Sequence, residues 1–199
     1  MIILASASPR RAELLQQIGI SFEKIHADID ESLQPGEGAE AYVMRLAGEK
    51  AKAVYNDQSK VSRAPVLGAD TVIVVGDKDV ILGKPSDYEH FRSMMVKLSG
   101  RRHRVLTAIA LLLPGGEQME ALSISNVLFR HLQESEIEAY WQSGEPADKA
   151  GGYAVQGLGA IFIENLEGSY SGVMGLPLFE TAQLLNQVGI TTLDRQGES

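Results

Sequence analysis

The stretch Val66-Leu67-Gly68-Ala69-Asp70-Thr71-Val72-Ile73-Val74-Val75 limits the fold more than any other part of the chain. An apolar run this unbroken predicts a strand covered on both faces, so layers must pack on either side of it. Asp70 lies in its middle. A carboxylate there is costly unless it is paired, hydrogen-bonded or bound to a metal. Gly68 beside it permits close backbone approach. A structural buried acid is the alternative; the position reads as functional. The segment Gly76 to Asp79 predicts a turn, with Val80-Ile81-Leu82 returning as the hairpin partner. Gly83-Lys84-Pro85 then ends that strand, which sets Lys84 in a proline-fixed loop at a strand end. A solvated turn lysine is its other reading.

Ser6-Ala7-Ser8-Pro9-Arg10-Arg11 follows the apolar run Ile2 to Ala5 and reads as strand, tight turn and helix. Ser8 suits the N-cap, Pro9 the first helical position, and Gly19 the stop. The two arginines oppose the helix macrodipole in its first turn. An anion bound there resolves the conflict, because backbone N–H groups, hydroxyls and guanidiniums all converge on it. Phosphate is the natural candidate. In the alternative, both arginines point into water near Glu13.

The alternating segment Ser21 to Ala27 predicts a strand, and a Pro/Gly loop follows Asp30-Glu31. Tyr42, Val43, Leu46, Ala47 and Val54 share helical spacing over roughly 39–55. Lys50 falls on that same apolar face, so it either snorkels to water or meets a partner anion. A helix is expected over 88–98. Long strands over 102–113 and 120–132, joined at Pro114-Gly115-Gly116, read as an antiparallel pair. Ser135 is the expected cap of a helix reaching Gln142. A loop over 146–152, short strands at 153–156 and 160–163 around Gly157-Leu158-Gly159, a last helix from Leu176 or Pro177 to Val188 and a frayed tail from Arg195 complete the reading. Helices alternating with strands of both pairing types predict an α/β fold around a mixed sheet.

A chain of 199 residues suits one large domain or two small lobes and is expected here as a single domain over 1–199. The formal charge of −8 argues against binding a nucleic acid polymer, yet leaves room for a small anion held by local cations. There is no cysteine, which removes disulfides, zinc thiolates and thiol nucleophiles. No apolar run approaches membrane-spanning length and no signal peptide is recognisable, so a cytoplasmic setting is expected.

Absent motifs narrow the chemistry further. Gly157-Leu158-Gly159 lacks the third glycine of a dinucleotide fingerprint, and no P-loop sequence occurs. Gly168-Ser169-Tyr170-Ser171-Gly172 carries tyrosine where a hydrolase elbow needs serine. The four histidines are isolated and show no ligand spacing. What remains is Ser8, Arg10, Arg11, Glu31, Lys50, Asp70, Lys84 and Gln156. The cations suit a polyphosphate; Asp70 and Glu31 suit a divalent ion or a general base. Together they point to hydrolysis of a phosphoanhydride.

Several motifs stand in the order seen in Maf-type nucleoside triphosphate pyrophosphatases. They are Ser6 to Arg11, Asp30-Glu31, Glu49-Lys50-Ala51, Gly68-Ala69-Asp70-Thr71, Gly83-Lys84-Pro85, Ala150 to Gly157 and Gly175-Leu176-Pro177. The chain resembles that family over nearly its whole length. The resemblance implies a fold like that of the inosine triphosphate pyrophosphatases, an elongated mixed sheet with a cleft between two lobes. It implies cleavage of nucleoside triphosphates to monophosphate and pyrophosphate with a divalent cation, Mg²⁺ or Mn²⁺. By the same resemblance Asp70 is the general base, Lys50 and Lys84 contact phosphate, and Glu31 lies near the metal and phosphates. Arg10, Thr71 and Gln156 resemble the pyrimidine-selective branch acting on dTTP and UTP, rather than the 7-methyl-GTP branch. Gly152 and Val155 stand where that branch usually has alanine, isoleucine or similar small and apolar residues. A homodimer is also implied. Two other roles stay open at this point: a nucleotide-responsive regulator of septum formation and cell division, and house-cleaning of modified nucleotides.

Overall fold

Seven strands form one sheet in a computed structural model that describes residues 1–57, 64–76 and 79–192. The strands are β1 (Ile2–Ala5), β2 (Phe22–Ile25), β3 (Val66–Val75), β4 (Val80–Leu82), β5 (Arg102–Leu112), β6 (Gln118–Phe129) and β7 (Ile163–Glu167). Their order is β2-β1-β3-β5-β6-β7, with β4 also on β3. The helices are α1 (Pro9–Gln17), α2 (Ala39–Asn56), α3 (Tyr88–Leu98), α4 (Glu134–Gln142), α5 (Tyr170–Met174) and α6 (Leu178–Gln187). The sheet is mixed, as anticipated: β1 pairs parallel with β2 and β3, whereas β3–β4 and β6–β7 are antiparallel. Only a short turn joins the neighbours β5 and β6, with Leu113 N donating to Glu117 O at 2.8 Å, so they too must run antiparallel. Among the described residues no helix is long and apolar enough to cross a membrane. The centre of the 76–79 turn and the tail expected from Arg195 lie outside the described residues.

The chain divides into two compact units. The first comprises Met1–Asp70, Thr107–Leu122 and the segment from Gly175 onward. Its sheet centre is β1 against the first half of β3, with Ile2, Ile3, Leu4 and Val66 fully buried and Leu67 almost so. Strand β1 stops at Ala5 opposite Gly68, two residues short of Asp70. Helix α2 lies directly on β3. A Cβ placed on Gly68 would run into the Ala47 carbonyl oxygen and come within 2.8 Å of the Ala51 nitrogen. Glycine is therefore needed for the close approach read from the sequence, and that approach brings Lys50 of α2 to Asp70 of β3. Gly68→Ala is expected to cost at least about 2 kcal/mol, because backbone has to move to admit the methyl group. The urea midpoint and turnover should fall together.

The second unit comprises Thr71–Leu106 and Ser123–Met174. Its core holds Phe91, Met94, Met95 and Leu98 of α3 with Phe129, Tyr140, Tyr153 and Phe162. The ring pairs Phe129–Tyr153 at 4.8 Å and Tyr140–Phe162 at 5.1 Å meet edge to face, the favoured aromatic geometry. His103 belongs to this interior. Its Nε2 lies 2.8 Å from Tyr153 Oη, and burial lowers its pKa to about 4.

The structure corrects the sequence reading in places. Segments 153–156 and 160–163 are a turn and a 3₁₀ helix, Leu158–Phe162, with β7 following where only the end of a strand was expected. Gln133, not Ser135, caps α4, and Gln133 N donates to Glu136 Oε2 at 2.9 Å as in a capping box. Short 3₁₀ helices occupy most of the 146–152 loop, and α5 is an element the apolar pattern did not announce.

Candidate active site

Strand β1, the turn after it and α1 deliver the first group of side chains. Ser8 caps α1 as anticipated, its Oγ accepting from Arg11 N at 3.4 Å, while Ser8 N donates to Ser6 Oγ at 3.1 Å. Arg11 meets groups of the chain on its inner side. Its Nε donates to the Gly175 carbonyl at 2.8 Å and its Nη1 to Ser6 Oγ at 3.4 Å, which turns the guanidinium inward. Burial lowers the Arg11 pKa; Asp70 and Glu31 favour its charged form, and neighbouring Arg10 opposes it. Two guanidiniums that repel each other at a helix N-terminus suit an anion placed between them.

Lys50 joins two acids. Its Nζ lies 2.6 Å from Asp70 Oδ1 and 2.6 Å from Glu31 Oε1. The lysine on the apolar face of α2 therefore meets partner anions rather than snorkelling. Lys50 and Asp70 are 8 % and 7 % exposed, whereas the Glu31 side chain is half in water. Burial raises the Asp70 pKa above its ordinary value; Lys50 and Arg11 pull the other way without cancelling it, and Glu31 adds to the rise. Two carboxylates, one ammonium and one guanidinium thus make a nearly neutral cluster around a buried carboxylate.

The loop carrying Glu31 is fastened by residues the sequence reading overlooked. Tyr42 Oη donates to the Glu31 carbonyl at 2.7 Å, and Arg45 Nη2 donates to the Ser32 carbonyl at 3.0 Å. Arg45 also forks onto Glu37 at 2.6 and 2.8 Å. Tyr42 was read only as a member of the apolar face. The i, i+3 spacing of Tyr42 and Arg45 on α2, opposite a loop with Glu31 and Glu37, was the available signal.

The second unit carries the remaining candidates. Thr71 is half-buried in β3, and Lys84 is exposed in the loop after β4. Gly151 N donates to the Gly83 carbonyl at 2.8 Å, so the Lys84 loop is stitched to the segment leading to Gln156. Gln156 is exposed, between buried Val155 and the half-buried Gly157.

A profile of Maf-like proteins matches residues 1–188. The chain belongs to the Maf family. It is 48% identical over 192 residues to a dTTP/UTP pyrophosphatase of Pseudoalteromonas atlantica, covering 96% of this chain and 98% of that protein. With a dTTP/UTP pyrophosphatase of Alkalilimnicola ehrlichii it shares 51% over 192 residues, 95% of this chain and 93% of that one. Among solved structures, a nucleoside-triphosphatase / dITP/XTP pyrophosphatase from Mycobacterium abscessus aligns with a TM-score of 0.42 at 16% identity, over 66% of this chain and 75% of that chain. That likeness is too weak to bear on the site.

Asp70 and Glu31 are the pair that would hold a metal in this Maf chain. The described residues contain no cluster of three acidic or histidine side chains that could hold an ion. Asp70 Oδ1 and Glu31 Oε1 both meet the Lys50 ammonium, so a divalent ion would take the other carboxylate oxygens; a pair of carboxylates still fits Mg²⁺ or Mn²⁺, because Mg²⁺ characteristically takes one or two carboxylates and completes its shell with water and substrate phosphate. The donor chemistry fits; a dedicated all-protein cage is not what such an ion requires.

Proposed function

We propose that the chain hydrolyses nucleoside triphosphates, dTTP and UTP before others, to nucleoside monophosphate and pyrophosphate. The observation that carries this reading is the buried Asp70 carboxylate, raised in pKa and held at Oδ1 by Lys50, which also grips Glu31. The names borne by relatives at about half identity support it.

In this mechanism Asp70 takes a proton from water on the carboxylate oxygen that Lys50 does not hold. The water oxygen bonds to the α-phosphorus, the bond from that phosphorus to the α,β-bridging oxygen breaks, and pyrophosphate leaves with the electron pair. The proton on Asp70 then passes to solvent. Lys50 fixes the carboxylate's orientation and favours its ionised form. Arg11, Lys50 and Lys84 offset the charge that grows on the leaving group, and the Ser8–Arg11 helix start binds phosphate oxygens. A divalent ion held by Glu31 and Asp70 would add charge neutralisation at those oxygens. Gln156 presents an amide that can donate to O4 and accept from N3–H of uracil or thymine. Arg10 and Thr71 complete the substrate contacts assigned from the family pattern.

The test is pyrophosphate release from a nucleotide panel with Mg²⁺ or Mn²⁺. Fast release from dTTP and UTP is expected. Preference for purine or methylated nucleotides would remove the specificity assignment and keep the enzyme. Tight nucleotide binding with no release would replace the enzyme with a nucleotide-responsive regulator.

A further inference from the structure

Gly157-Leu158-Gly159, which fits no dinucleotide fingerprint, follows directly on Gln156, and its glycines have a local reason. Helix α4 ends at Gln142, and Gly144, with a φ of 76°, then reverses the chain so that Glu145 folds back on Tyr140. Tyr140 Oη donates to Glu145 Oε1 at 2.6 Å and accepts from Ala154 N at 3.2 Å. The Glu145 carboxylate accepts from Leu158 N at 2.9 Å through Oε2 and from Gly159 N at 3.1 Å through Oε1. Between these anchors, Gly157 N donates to the Ala154 carbonyl at 3.3 Å and closes a turn with Val155 and Gln156 at its centre. The phenol–carboxylate pair therefore grips the chain two residues before Gln156 and again two and three residues after it.

Each glycine makes room for this grip. A Cβ on Gly157 would lie within 2.6 Å of Glu145 Oε1, and one on Gly159 would lie 2.7 Å from Tyr140 Oη. Tyr140 is itself fixed, 4 % exposed and packed against Phe162 at 5.1 Å and Phe91 at 6.0 Å. Burial works to raise the Glu145 pKa, but the bonds from Tyr140 and the two amides outweigh it and hold the group ionised. An ionised acceptor makes the stronger bonds. The Gln156 side chain, in contrast, is exposed and makes none of these contacts.

We infer that Tyr140 and Glu145 are positioning residues for base selection: they set the turn that presents the Gln156 amide to the nucleobase. This rests on Gln156 reading the base. Two bonds of an amide to a pyrimidine edge demand a fixed backbone, and small misplacements of a positioned group cost large factors.

The experiment compares kcat/KM for UTP with that for ATP in wild type, Gln156→Ala, Glu145→Gln, Tyr140→Phe and Gly157→Ala, with thermal unfolding of each as a check on folding. The preference for UTP is expected to fall about tenfold or more in the Tyr140 and Glu145 variants, mainly through a higher KM for UTP. Saturated kcat for UTP should stay within about threefold, because neither residue touches the reacting groups. Gly157→Ala, whose methyl group would meet the Glu145 carboxylate, should give the same pattern. If Glu145→Gln does not fold, Tyr140→Phe decides, since it removes one oxygen and keeps the ring. A wild-type preference in folded Tyr140→Phe, or a uniform loss of kcat for both nucleotides, overturns the inference. Were Gln156→Ala also to keep the preference, the reading of Gln156 itself would fail; a shift in Gln156→Ala alone would remove only the role of Tyr140 and Glu145.

Discussion

Asp70→Asn should lower kcat for UTP by about a thousandfold, the middle of the range for loss of a positioned general base. Nucleotide affinity should change little, because asparagine keeps the shape and its Oδ1 can still accept from Lys50, now 2.6 Å away. The pH profile supplies an independent check. A base must be unprotonated to act, so kcat/KM should rise with pH through the Asp70 pKa. Burial places that acid limb above the ordinary carboxylate range. The variant should lose the limb along with the rate. Stability should run the other way. A carboxyl whose folded pKa is raised stabilises the fold below its unfolded pKa and loses that contribution as pH climbs through the folded one. Removing the charge should therefore not lower the melting temperature at neutral pH. Wild-type turnover in Asp70→Asn would remove Asp70 from the mechanism.

Lys50→Met is expected to damage both stability and activity. The ammonium bridges Asp70 and Glu31, and without it a buried carboxylate faces a second one with no cation between them. Breaking a buried pair from one side typically costs 3–5 kcal/mol, and the half-exposed Glu31 should keep the loss near the low end, at about 3 kcal/mol. Urea unfolding at neutral pH measures it. Part of the loss should return as pH falls and Asp70 takes up a proton, and part should return in the double variant Lys50→Met/Asp70→Asn. Turnover of Lys50→Met should drop by a factor of 10² or more. An unchanged urea midpoint would mean that the three charges do not act as a unit.

Strand β3 and helix α2 were legible because each is governed by a single period. The run from Val66 to Val75 is apolar on both faces, and α2 repeats its apolar residues at helical spacing up to Val54. Those two patterns also single out the candidate site, since Asp70 and Lys50 are the residues that violate them. The sequence could not say that the two violations answer each other; that follows from the close approach at Gly68, where α2 touches the backbone of β3. The two arginines read as a conflict, but the Gly175 carbonyl that Arg11 meets is remote in sequence and has no side chain to announce it.

Segment 153–163 misled for a different reason. Tyr153, Val155 and Ile161 suggest strand, yet side chains outside the segment, Tyr140 and Glu145, take up the amides of Ala154, Leu158 and Gly159 that a strand would have offered to a neighbour. The apolar pattern records burial of Tyr153, Ala154 and Val155, not their pairing. Tyr42 and Arg45 escaped notice because their partners are backbone carbonyls and acids in an irregular loop, which leaves no periodic trace.

The most direct measurement is hydrolysis of UTP in ¹⁸O-labelled water with mass analysis of both products. Attack on the α-phosphorus predicts UMP carrying one label and unlabelled pyrophosphate, with the yield lost in Asp70→Asn. Label in pyrophosphate, or release of orthophosphate in its place, would contradict the account.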